Sequence, residues 1–249
     1  MRIYRGIESI GSLGETTIAV GSFDGVHNGH LSLLGTLRSR AKIMGRKSVV
    51  VSFSPHPRVT LSRAEGLKLL TSDEEKAELL HSVGIDALLI LEFNRELSSL
   101  SYEDFLLNYL QKKAGMAEII VGFNNHIGHN SGGYENLLQL AQENNFEITR
   151  AEELISSGNK ISSTVIRKLL DEGEIEQANQ LLSQPYLMIG RANDLQEVKF
   201  DEPLKLIPPP GVYLCEVNGS QQEIKIDDLQ RIWCFEKNKK VKINILRKI

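Results

Sequence analysis

The chain has 249 residues, of which 41% are hydrophobic and 24% charged, with a formal net charge of −3. That balance belongs to an ordinary globular protein of one large domain, or one domain plus a small one, and it disfavours a general nucleic-acid binder. No apolar run nears the roughly 20 residues of a membrane span, and Met1-Arg2-Ile3-Tyr4-Arg5 lacks the apolar core of a signal peptide; the expectation is a cytoplasmic protein with no membrane partner.

The short apolar run from Thr17 to Val20 reads as a buried strand. Gly21-Ser22-Phe23-Asp24-Gly25-Val26-His27-Asn28-Gly29-His30 follows as a tight loop, and Leu31, Leu33, Leu34 and Leu37 then recur at helical spacing, with Gly45 as C-cap. A loop at a helix N-terminus gathers unpaired N–H groups and the positive end of the helix dipole, which suits phosphate. Gly25 and Gly29 let the backbone approach a ligand, and His27 and His30 add ring N–H donors. One histidine near a helix start is usually a cap or surface group, and two glycines usually make a turn; the combination carries the signal. Gly-x-Phe-Asp-x-x-His-x-Gly-His after a first strand resembles the signature of the HxGH nucleotidyltransferases.

Ser48 to Phe53 reads as a second strand, running into Ser54-Pro55-His56-Pro57, which the two prolines keep from being helix. Ser72 with Glu75 predicts a capping box on a helix reaching about Val83, and Gly84 stops it. Ala87 to Leu91 is a third strand, Ser101 with Asp104 starts a helix through Leu110, and Glu118 to Gly122 is a fourth strand. A helix over Asn136 to Glu143 and a strand over Phe146 to Thr149 follow. Alternation of this length predicts an α/β, Rossmann-like domain with a parallel sheet covered on both faces. Ligands then sit beyond the carboxyl ends of the strands, where the His27/His30 loop, the Pro55-His56-Pro57 loop and the loop after Val121 all lie.

In Ile161 to Leu170, Ser162 or Ser163 caps a helix whose first turns carry Thr164 and Arg167, a second candidate anion site. Taken alone this is a routine Ser cap with a solvated Arg; after an HxGH loop it gains weight. A helix over Ile175 to Leu182 follows. Near Gln184-Pro185 helical periodicity gives way to short β runs. Val212 to Val217, Asn218-Gly219, then Gln222 to Ile226 is a hairpin signal with a type I′ turn. Arg231 to Phe235 and Val241 to Leu246 read as further strands, and Lys237 to Lys242 as a solvated connection. The expected division is 1–185 as the nucleotidyltransferase domain and 186–249 as a small antiparallel β domain. Cys215 and Cys234 fall in strand-like segments and are expected as buried thiols.

With these residues in hand the chain resembles the bacterial FAD synthetases, bifunctional riboflavin kinase/FMN adenylyltransferases, over roughly residues 1 to 190. The resemblance rests on Gly21 to His30, Phe53 to Pro57, Thr71 to Leu80, Val121-Gly122, Ile161 to Arg167 and Ala178 to Tyr186. It implies an enzyme that makes FAD and pyrophosphate from FMN and ATP with a divalent cation such as Mg²⁺. It puts His27, His30 and Arg167 in the chemistry; Gly21, Phe23, Gly25, Gly29, Asn124, Ser162, Ser163 and Thr164 on ATP; and Phe53, Pro55, His56 and Pro57 on the flavin. The residues that would meet the metal are left unassigned, and FMN and ATP are the expected partners, with a homo-oligomer left open. Ser54 stands where the family usually has an acid, and the stretch from Asn124 to Ser131 departs in part. The Gly-Phe-Pro-Thr-Ala-Asn segment of a riboflavin kinase is missing, whereas Pro209-Pro210-Gly211-Val212-Tyr213 resembles its barrel. The expectation is a shortened domain without kinase activity. Another HxGH adenylyltransferase, for pantetheine phosphate or nicotinamide mononucleotide, a non-catalytic flavin-binding protein, and an enzyme that keeps both activities are the alternatives.

Overall fold

The computed structural model describes residues 1–61, 65–122, 133–152 and 161–249. The chain forms two compact units: Met1–Phe23, His30–Glu65 and Leu79–Leu154 make the first; Asp24–Gly29, Gly66–Glu78 and Ile155–Ile249 make the second. Each has its own hydrophobic core.

The first unit is built on a six-stranded parallel sheet of β1 (Arg2–Arg5), β2 (Thr16–Val20), β3 (Lys47–Ser54), β4 (Ala87–Glu92), β5 (Met116–Val121) and β6 (Glu147–Arg150). Their order is β1-β4-β3-β2-β5-β6. Ile18, Val49, Val50, Leu88, Leu89, Ile119 and Ile120 are fully buried, as expected where both faces of a parallel sheet are covered. Pairing of Ile18 with Val49 on one side and Ile119 on the other makes β2 central. The chain runs from β2 outward through β3 and β4, then returns to the other flank of β2 with β5, so the carboxyl ends of β2 and β5 mark the switch point where such sheets bind ligands. Strand β1 carries no alternation and is largely exposed at the sheet edge, which is why its sequence gives no signal.

The helices between these strands in the chain are α1 (Asn28–Ile43), α2 (Pro57–Thr60), α3 (Asp73–Ser82, of which residues 73–78 belong to the second unit), α4 (Arg95–Ser99), α5 (Tyr102–Asp104), α6 (Lys112–Ala114) and α7 (Tyr134–Asn144). A π-helical stretch, Phe105–Gln111, joins α5 to α6, and Gly115 ends the run at φ 65. The Pro55-His56-Pro57 expectation needs one correction. Pro57 opens the single turn of α2, because at the first helical position its missing N–H is no loss. The capping box forms as expected: the Ser72 N–H donates to Glu75 Oε2 at 2.8 Å, and the Glu75 N–H donates to Ser72 Oγ at 3.2 Å.

The second unit carries α8 (Ser163–Glu172), α9 (Ile175–Leu181) and the strands β7 (Tyr186–Ala192), β8 (Glu197–Lys199), β9 (Gly211–Val217), β10 (Ser220–Ile226), β11 (Ile232–Trp233) and β12 (Lys239–Lys248). The strands close into an antiparallel barrel in the order β10-β11-β8-β7-β12-β9. Alternate residues fill it: Tyr213, Cys215 and Val217; Ile224 and Ile226; Val241, Ile243 and Ile245, all buried. Leu70, Ile166, Leu170, Ile175 and Ala178 join the same core. Asn218 (φ 50) and Gly219 (φ 86) make the β9–β10 turn in the left-handed region, as a type I′ turn requires.

Two expectations need correction here. The Lys237 to Lys242 cluster is solvated as expected, with Lys237, Lys239 and Lys240 exposed, but it is not only a connection: Lys239 onward belongs to β12, where inward Val241, Ile243 and Ile245 set the register. Lys242 Nζ then lies 2.5 Å from Glu78 Oε1, and Lys240 pairs with Glu74. The run Arg231 to Phe235 shortens to Ile232–Trp233, leaving Phe235 exposed. Cys215 and Cys234 are free and buried, and burial pushes the Cys215 thiol up to about 12.

Candidate functional site

The loop after β2 is laid down residue by residue. Gly21 donates its N–H to Val51 O at 3.0 Å, and a Cβ there would sit 3.0 Å from the Phe23 ring. Phe23 is buried at φ 46, and its ring tilts against the His30 ring with centroids 5.1 Å apart. These residues belong to the first unit.

Asp24 begins the part of the loop that belongs to the second unit, and its carboxylate is the hub of the site. Oδ1 accepts the Thr71 N–H at 2.9 Å and the Thr71 hydroxyl at 3.1 Å; Oδ2 accepts the Leu70 N–H at 3.2 Å and Arg167 Nη2 at 2.6 Å. The Asp24 and Arg167 side chains are 5% and 14% exposed, so this ion pair is poorly screened. Arg167 Nε donates to Lys68 O at 2.7 Å, fixing the guanidinium plane from a second side. Gly25 donates to Thr71 Oγ1 at 3.2 Å. Its φ is +64, and a Cβ would fall 2.5 Å from Leu70 Cδ1, so no other residue fits without displacement.

His27 follows, 6% exposed, forming a β-bridge with Leu182. Burial lowers its pKa to about 4, outweighing the pull of Asp24, so the ring is neutral near pH 7. A Cβ on Gly29 would lie 3.1 Å from the His27 ring, so the glycine makes room for the imidazole. Asn28 Nδ2 donates to Gln180 O at 2.9 Å and the Ser183 N–H to Val26 O at 3.1 Å, stitching the loop to the end of α9.

The N-terminus of α8 belongs to the same unit. Ser162 is its N-cap, accepting from the Val165 N–H at 3.4 Å, and no acid stands in the first turn. The Ser163 hydroxyl donates to Asp24 O at 2.8 Å, while Thr164 is exposed. One carboxylate, reached from residues 70, 71 and 167, thus ties the loop to this helix. Of the expected phosphate residues, Gly25, His27, Gly29, Ser162, Ser163, Thr164 and Arg167 lie in the second unit, and Gly21, Phe23 and His30 in the first. Asn124 and the stretch through Ser131 lie outside the described residues.

The segment expected to meet a flavin also belongs to the first unit. Phe53 packs edge-on to Phe93 at 5.3 Å and tilted to Phe105 at 6.4 Å. Pro55 is exposed after a cis Ser54–Pro55 bond, and His56 caps α2, its Nδ1 accepting from the Arg58 N–H at 3.2 Å. Asp24, Thr71 and the Lys68 carbonyl were missed by sequence reasoning. Asp24 stood inside the motif, but nothing local says that its partners lie 46 and 143 residues away.

The profile of the FAD synthetase family matches residues 10–165. The bifunctional riboflavin kinase/FMN adenylyltransferase of Listeria monocytogenes is 36% identical over 174 residues, covering 70% of this chain and 55% of that one. That of Buchnera aphidicola subsp. Schizaphis graminum is 35% identical over 194 residues, covering 77% and 62%. For the Bacillus subtilis protein of the same description the values are 32% over 218 residues, 82% and 69%. The chain therefore spans 55% and 62% of the length of the first two relatives. A Streptococcus pneumoniae crystal structure, described as a macrolide-efflux protein, matches over 100% of both chains with a TM-score of 0.85 at 21% identity, which shows a shared fold. On the extent of the profile match, the chain belongs to the FAD synthetase family.

Proposed function

We propose that this chain is an FMN adenylyltransferase, forming FAD and pyrophosphate from FMN and ATP. The observation that carries the reading is the Asp24 hub, which joins the Gly25-to-Gly29 loop to Arg167 and the α8 N-terminus; the loop and Ser163 fall within the region the family profile covers, and Arg167 lies two residues beyond its end. A glycine loop, a helix N-terminus free of acids, an imidazole and a guanidinium form a donor set suited to a polyphosphate. In the reaction an FMN phosphate oxygen attacks the α-phosphorus of ATP. The bond from that phosphorus to the oxygen bridging to the β-phosphate breaks, and pyrophosphate leaves with the electron pair. The FMN phosphate is already anionic near neutral pH, so the step needs alignment and charge stabilisation rather than a strong base.

In this reading His27 and His30 donate N–H bonds to the transferring group. Ser162, Ser163, Thr164, Arg167 and the backbone of Gly25 and Gly29 hold the rest of the triphosphate, Gly21 and Phe23 complete the nucleotide's surroundings, and Phe53, Pro55, His56 and Pro57 take the flavin. A neutral His27 still offers one N–H. Among the described residues no group of three or more His, Cys, Asp or Glu is placed to hold a metal, and both Asp24 oxygens are already engaged. In this reading Mg²⁺ would come with ATP and neutralise charge on its phosphates. Replacing His30 by Ala should lower turnover by about 10²–10³ in a folded protein.

We further propose that riboflavin kinase activity is absent. The barrel interior is filled by apolar side chains, and the Gly-Phe-Pro-Thr-Ala-Asn segment is missing. No helix among the described residues is long and apolar enough to cross a membrane. The test offers ATP and Mg²⁺ with FMN in one sample and riboflavin in another, and separates the flavins by chromatography. FAD from FMN with nothing from riboflavin is expected. Product from riboflavin would overturn the kinase assignment, and no FAD from FMN would overturn the adenylyltransferase.

A further inference from the structure

The second unit holds another buried ion pair, outside the phosphate residues. Lys205 and Glu75 have side chains 2% and 0% exposed, and Lys205 Nζ lies 2.6 Å from Glu75 Oε2. The ammonium also donates to Leu70 O at 2.6 Å and Leu187 O at 2.9 Å, so all three of its protons are placed. Its Nζ stands 4.5 Å from the centroid of the Tyr186 ring, and the Tyr186 hydroxyl donates to Leu206 O at 2.8 Å. Glu75 is equally committed: Oε1 accepts the Ile189 N–H at 2.7 Å, and Oε2 accepts the Ser72 N–H at 2.8 Å. Around the pair the backbone is laced to Leu69, whose N–H donates to Leu204 O at 2.7 Å and whose carbonyl accepts from Leu206 at 2.8 Å.

Leu70 is the link. Its carbonyl is held by Lys205 and its N–H by Asp24. The next residue, Thr71, gives Asp24 both its N–H and its hydroxyl. Asp24 holds Arg167, which is also held by Lys68 O, two residues before Leu70. Thus one stretch, Lys68 to Glu75, is pinned by Lys205 at one end and supplies the partners of the phosphate site at the other. A buried ion pair is a poor way to gain stability, because desolvation offsets most of the attraction and an apolar pair of the same volume does as well. What such a pair supplies that an apolar pair cannot is direction.

We propose that Lys205 and Glu75 are positioning residues for the phosphate site: their ion pair fixes the Leu70–Thr71 backbone, which orients Asp24 and, through it, Arg167. The barrel unit then acts on the nucleotide loop through this strap, and has a role without kinase chemistry. The catalytic side of the proposal rests on the adenylyl transfer proposed above.

The test uses the full chain with Lys205→Met, the double variant Lys205→Met/Glu75→Gln, and Lys240→Met, which breaks only the exposed pair with Glu74 on the same helix. The double variant leaves no lone buried charge, so it keeps the test open should Lys205→Met fail to fold. Steady-state constants are measured for ATP and FMN. Hydrogen exchange at the Arg167 Nε–H is followed by nitrogen-15 NMR against backbone amides of β12. In the folded double variant the KM for ATP should rise about tenfold while that for FMN moves by less than about twofold, as expected when a charge-assisted contact is misaligned. Arg167 exchange should accelerate relative to β12, and Lys240→Met should change neither. A fall in kcat alone with both KM values kept, or Arg167 and β12 exchange rising together, would make the pair merely structural and overturn the proposal. If the wild-type chain makes no FAD, the proposed reaction fails, and Arg167 exchange alone still decides the positioning.

Discussion

Each unit buries a carboxylate network, and the two are built differently. In the first unit Glu118, fully buried on β5, accepts from Arg40 Nε at 2.7 Å and Thr149 Oγ1 at 2.8 Å, with Thr17 Oγ1 at 3.4 Å and Arg46 Nη1 at 3.6 Å. Its partners come from β2, β6, α1 and the residue before β3. The two arginines also bind Glu147, at 2.7 and 2.9 Å, so the cluster closes on itself. In the second unit Asp24 accepts from Leu70, Thr71 and Arg167, and Arg167 belongs to a helix N-terminus that carries Ser162, Ser163 and Thr164. A buried carboxylate alone therefore says nothing about function. What separates the two is whether its cation stands in a donor set that a ligand could use.

The sharpest way to break this comparison is to neutralise each hub. Asp24→Asn should lower FAD formation per folded molecule by about 10²-fold, since it frees the guanidinium proposed to hold the leaving group. Glu118→Gln should leave turnover per folded molecule unchanged and cost about 3 kcal/mol of stability, read as a lower midpoint in denaturant. Equal losses of activity in the two variants would erase the distinction.

Gly25→Ala probes the loop geometry that Asp24 holds. A methyl at φ +64, 2.5 Å from Leu70 Cδ1, must push the loop or the 66–78 segment aside. The expected cost is about 2 kcal/mol with a raised KM for ATP, read by denaturation and kinetics. Gly45→Ala, at a similar φ but with open space around it, should cost less, about 1 kcal/mol, and leave the KM unchanged.

The pH dependence sharpens the comparison from the histidine side. His27 holds its proton only below about pH 4 when folded, against an ordinary value of 6.5. The unfolded chain therefore takes up that proton first as pH falls. The stability contributed by the neutral ring is complete above about 6.5 and drains away toward 4, by at most about 3 kcal/mol. His27→Gln should flatten the stability profile in that window, as measured by denaturant midpoints between pH 7 and 4.

Much of this was legible in the chain because the signals are local. The parallel strands showed as short β-branched runs, the helix starts as Ser caps, and the β9–β10 turn as Asn218-Gly219, since each depends on residues within a few positions. The family motif was legible for the same reason, Gly21 to His30 being contiguous. Edge strand β1 and the single turn of α2 carried too few apolar residues to register. The ion pairs of Lys240 and Lys242 in β12 left no sign in the sequence, because their carboxylates, Glu74 and Glu78, are more than 160 residues away in the chain.

What the sequence by itself determined was the set of local conformations and the chemical types brought to the site: glycines where the backbone must turn, imidazoles after them, hydroxyls at a helix start. Only the tertiary structure decided which groups those residues would meet. Asp24 finds Arg167 across 143 positions and Lys205 finds Glu75 across 130, both by hydrogen bonds that close long loops. Long-range pairing of this kind leaves no periodicity in the chain, because it depends on where the cores bring the backbone and not on the spacing of neighbours.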